Sequence, residues 1–76
     1  MLDQLTFSVA PVDPRGAPRH ERAVHDLSHD AAVQLLVAYH DAELPAALDT
    51  VTSAAWGGSG SHVNMLTGKV ALVIRH

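Results

Sequence analysis

The stretch "GSGSHVNMLTGKVALVIRH", Gly58–His76, decides how this chain is read. Near its end Val70, Ala71, Leu72, Val73 and Ile74 form an unbroken apolar run between Lys69 and Arg75. A run without alternation is a strand buried on both faces, or an edge that needs a partner. Ahead of it "GGSGSH" (Gly57–His62) is small and polar and reads as a flexible, linker-like loop over residues 57–64. The run is therefore the first strand of a nucleotide-binding unit, the last strand of a larger enzyme, or one edge of a free-standing domain. What precedes it has to choose.

Working backwards, "PAALDTVTSAAW" (Pro45–Trp56) supports two readings. As a helix it has Pro45 at its first position, an apolar face of Ala47, Leu48, Val51 and Ala55, and Gly57 as its cap. As an extended segment it has the β-branched Thr50, Val51 and Thr52. The pattern leans to helix. Before it, "SHDAAVQLLVAYHDAEL" gives the clearest element, a helix over Ser28–Ala42. Ser28 or Asp26 serves as N-cap, Asp30 favours the positive helix end, and Leu35, Leu36 and Tyr39 fall on one buried face. "LTFSVAPV" (Leu5–Val12) alternates Leu5, Phe7 and Val9 against Thr6, Ser8 and Ala10, predicting a strand ended by Pro11. Pro14, Gly16 and Pro18 then make residues 13–24 a turn-rich flexible loop.

Composition narrows the class. A chain of 76 residues holds one small domain. Much of its apolar content is Ala, and Phe7, Tyr39 and Trp56 are the only aromatics, so its core is short of large side chains and its stability is marginal. The net charge is −3 with no basic stripe, which argues against nucleic acid as a partner. Absence of cysteine removes disulfide and thiolate chemistry. The N-terminal "MLDQLTFSVAPV" has no basic region ahead of an apolar one, and no apolar run reaches membrane-spanning length, so a cytoplasmic protein is expected.

Six histidines are the most unusual feature. His20, His25 and His29 lie in "HERAVHDLSH", and the four-residue spacing of the last two would let one helix face offer both imidazoles to a metal. Ser28 as a helix cap separates them, so surface histidines are the expected outcome and no metal is expected. No GxSxG turn exists for a catalytic serine, and "GK" at 68–69 is followed by Val70, which fails as a phosphate loop. No catalytic or cofactor-binding residue is expected. Trp56 beside Gly57 and Gly58 is either an exposed anchor or the cap of the core.

Two resemblances bear on the closing strand. "MLTGKVALV" (Met65–Val73) looks like the opening strand of short-chain dehydrogenases, but the glycine-rich turn that would hold a dinucleotide is missing. The order from Ala32 to His76 resembles the C-terminal segment of the medium-chain (zinc-type) alcohol dehydrogenase and quinone oxidoreductase family. There "LLVAYHDAEL" would be a helix, "AALDTVTS" (Ala46–Ser53) an extended stretch and "SHVNMLTGKVALVI" the closing strand. Ala42 stands where that family commonly has Gly, and "WGGSGS" replaces a helix-forming run. The resemblance implies a piece of an NAD(P)-dependent oxidoreductase that is inert alone, since cofactor and metal are held upstream.

The expected fold is therefore a small single-domain α/β (α+β) chain, strand–helix–(helix)–strand with a terminal apolar strand. Two functions stay open: the oxidoreductase-like piece, and a small cytoplasmic interaction module that pairs with a protein partner or itself through Val70, Leu72 and Ile74. An extended Ala46–Ser53 favours the first, a helical one the second.

Overall fold

The computed structural model describes residues 5–76. The leader reading rests partly on residues 1–4 and so lies outside the described residues. The chain is mixed α/β: strands β1 (Phe7–Val12) and β2 (Val24–Leu27), helices α1 (His29–Tyr39) and α2 (Leu44–Gly57), then strands β3 (Ser59–Val63) and β4 (Val70–Arg75). The strands form one sheet in the order β2-β1-β4-β3, antiparallel throughout.

β1 does not end at Pro11 as its sequence suggests. In the β1–β4 ladder Val12 still pairs with Val70. The hydrogen bond from His76 N to Thr6 O fixes which β1 residues bond towards β4, namely the even-numbered ones. The N–H that Pro11 lacks would point away from β4, so that ladder loses nothing. On the outer side the Pro11 carbonyl accepts from Arg19 N at 2.7 Å, as the loop folds back through a single 3-10 turn at His20–Arg22.

Ser28 caps α1, its hydroxyl accepting from Ala31 N at 3.1 Å. The helix stops at Tyr39 because Asp41 adopts a positive φ of 56°. The ambiguous Pro45–Trp56 segment is helical, with Pro45 in the first turn where its missing N–H costs no bond. Its cap is Gly58 rather than Gly57, at φ 92°, donating to the Ala54 carbonyl.

The core lies between the helices and one face of the sheet. Phe7, Val9, Ala71 and Val73 meet Ala32, Val33, Leu36, Ala47, Val51, Ala54 and Ala55 there. Leu36 is central, but Leu35 is only partly buried and Tyr39 is 71% exposed, contrary to the expected face. Tyr39 sits in the last helical turn, beside a cleft at the sheet's end that it shares with Pro11 and Val24.

The largest correction concerns the opening stretch. "GSGSHV" is not a loop: Ser59–Val63 is β3, which pairs with β4 from Ser59↔Ile74 to Val63↔Val70. β4 consequently has a neighbour on each side and is not an edge strand. Its side chains alternate after all. Ala71 and Val73 are buried under the helices, while Val70, Leu72 and Ile74 face the other way and are half-buried. No helix among the described residues is long and apolar enough to cross a membrane.

Candidate interaction surface

The sheet face away from the helices carries the side chains of Ser8, Ala10 and Val12 on β1, Val70, Leu72 and Ile74 on β4, and Ser59, Ser61 and Val63 on β3, by the pairing register. Part of it is covered. Ser8 and Ala10 on β1 are buried. The rest is an open groove of about 700 Å³, walled by Pro14 and Pro18 on one side and floored by Val12, Val70, Leu72 and Ser61. Val70, Leu72 and Ile74 thus offer side chains on this face, not the unpaired backbone expected of them.

One constellation on this face escaped the sequence reading. Ser8 Oγ lies 2.7 Å from His25 Nδ1 and 2.5 Å from His76 Nε2. A β-bulge makes this possible. Phe7 pairs with Leu27 but Val9 with Val24, so Ser8 faces two residues, and Asp26 takes φ 58° to accommodate the extra one. The bulge turns His25 onto the face that Ser8 occupies. A single hydroxyl proton serves one acceptor, so Ser8 donates to one imidazole and accepts N–H from the other.

A serine beside an imidazole has the elements of an activated nucleophile, but two features deny it that role here. Ser8 is 4% exposed, so a substrate has no approach. Among the described residues neither imidazole has a carboxylate to orient it. The cluster instead ties β2 to the end of β4 across β1.

The metal candidates separate. His25 is in β2, His29 opens α1 with its ring edge-on to Phe7 at 6.1 Å, and His20 starts the 3-10 turn. Among the described residues no group of three potential ligands converges. Trp56 is 78% exposed and does not cap the core.

A smaller cleft of about 320 Å³ at the sheet's end is lined by Val9, Pro11, Val24, Leu35, Tyr39 and His40. Burial holds His40 below the ordinary histidine pKa, aided by the positive charge of Lys69 and by His62, and opposed by Asp41. The β3–β4 turn is fixed beside it: Lys69 Nζ bonds Asp41 Oδ2 at 2.9 Å, and Asn64 Nδ2 donates to the Asp41 carbonyl.

The two edges of the sheet differ. β2 has four residues, a bulge and Asp26, all of which hinder further pairing. β3 has no bulge, no proline and no Lys, Arg, Asp or Glu. Asn64 N bonds Lys69 O and Arg75 N bonds Gly58 O, so Gly60 and His62 direct their backbone groups to β4. Ser59, Ser61 and Val63 therefore point N–H and C=O outward. Their side chains are exposed as well.

No family model matches the chain, and neither a curated protein nor a solved structure does so at a significant level.

Proposed function

We propose that the chain is a small protein-interaction module, receiving a protein partner on the sheet face that its helices leave uncovered. The observation that carries this reading is the groove over Val70, Leu72 and Val12, an apolar floor that neither α1 nor α2 covers. The helical state of Ala46–Ser53 supports it too, since the oxidoreductase-like reading calls for an extended stretch there. Among the described residues, the buried Ser8 hydroxyl bracketed by imidazoles is closed to substrates.

A photo-crosslinking residue at Ser61, on the groove, and another at Asp30, on the helical side, test this in native extract. The account expects a discrete adduct from position 61 that position 30 does not give and that Leu72→Lys abolishes. Equal labelling from both positions, or an adduct indifferent to Leu72→Lys, contradicts it.

A further inference from the structure

The partner's form can be read from the free edge beside the groove. We infer that β3 is a docking edge for an extended segment of a partner protein, which joins the sheet as a fifth strand. This rests on the interaction-module reading above and adds which backbone does the binding.

Three observations converge. First, Ser59, Ser61 and Val63 direct outward N–H and C=O groups that are unpaired among the described residues, the row an added strand needs. Second, among the described residues no bulge, proline or charged side chain protects that row, whereas the opposite edge is shortened, bulged and carries Asp26. Third, the edge lies one strand away from the apolar floor, with only the small Ser59 and Ser61 and Val63 between them on that face. Residues of an incoming strand set opposite Ser59, Ser61 and Val63 project on the side where Val70, Leu72 and Ile74 lie.

The position of α2 decides against a second copy of the chain. A Cβ on Gly60 would lie 2.7 Å from the Thr50 carbonyl oxygen, so α2 rests directly on β3. A paired β3 from another copy would sit about 4.8 Å away and bring its own α2 with it. Helices pack at about 8–10 Å, so in antiparallel pairing, which sets both helices on one face of the joined sheet, the two would be forced together. A segment with no helix on its back meets no such obstacle.

The same geometry gives the partner's chemistry. Alternate residues lie beside Ser59, Ser61 and Val63, and large apolar side chains there would reach over the two small serines towards Leu72 and Ile74. The residues between them face the flank of α2, where Ser53 lies near Gly60 and Asp49 stands one turn earlier. Small or basic side chains suit that side.

The test uses the full chain and a displayed library of random peptides of about 12 residues, long enough to span a strand. Selected peptides are expected to show apolar residues at alternate positions, and the amides of Ser59, Ser61 and Val63 should change from fast to slow hydrogen exchange on binding. Ser61→Pro removes only an outward N–H and leaves the β4 ladder intact, so it should weaken binding by about tenfold or more without loss of the fold. Should that variant unfold, the exchange of the three amides in the wild-type chain still decides. Peptides that bind without protecting them, or equally to Ser61→Pro, overturn strand addition while leaving a face-binding module standing. A library that yields no binder also overturns it, and the crosslinking result then judges the module by itself.

Discussion

Gly60 lies against the backbone of Thr50 so closely that an added Cβ would be 2.7 Å from the Thr50 carbonyl oxygen, a separation real Cβ atoms essentially never show. Only glycine lets α2 descend onto β3, and the obstacle is backbone that cannot rotate away. Gly60→Ala should therefore destabilise the domain by about 1–3 kcal/mol, as overpacking does. A thermal midpoint equal to wild type would show that α2 stands off the strand.

Leu36 is fully buried at the centre of the core, and Tyr39, one turn on, is 71% exposed. Leu36→Ala should cost about 2–5 kcal/mol, enough to leave so small a domain largely unfolded. Tyr39→Ala should stay within about 0.5 kcal/mol. Urea unfolding of both variants checks the contrast, and similar losses from the two would contradict the observed helix face.

Those residues also mark what was legible. Helical spacing identified α1 and only inclined α2 to helix over an extended segment, and period two identified β1, because each element buries one side. Tyr39 was misplaced because α1's last turn meets the end cleft rather than the core, which spacing does not reveal. β3 was missed for a physical reason: a strand pressed by a helix at Gly60 and flanked by two small serines has a linker's composition. Once β3 was missed, β4 looked like an edge. The Ser8 cluster was invisible because His25 reaches that face only through a bulge, and no residue type marks a bulge reliably.

Ser8 bridges His25 and His76 from a buried position. Ser8→Ala removes the shared partner of two imidazole nitrogens while keeping the volume nearly constant. A loss of about 0.5–1.5 kcal/mol is expected, the net worth of a hydrogen bond whose imidazole partners sit on exposed residues. Chemical denaturation measures it, and an unchanged midpoint would mean that the imidazoles find water instead.

His40 adds a pH dependence. Its pKa lies below the ordinary value in the fold, chiefly through burial, whereas in the unfolded chain it returns to about 6.5. The unfolded state then binds more protons over that interval, so stability is full above about pH 6.5 and falls as the pH drops towards the folded value. The thermal midpoint should decline on acidification through this window, and His40→Gln should flatten the decline. A decline of the same slope in His40→Gln would assign it to other groups.

Amide hydrogen exchange on the free chain addresses the central claim, that β4 is interior and β3 is the open edge. Slow exchange is expected along β4, with Leu72 and Ile74 held by β1 and Ala71, Val73 and Arg75 held by β3. His62 should also exchange slowly, and Ser59, Ser61 and Val63 fast. Fast exchange at Ala71 and Val73, or protection of Ser59, Ser61 and Val63 without a partner, would contradict that claim.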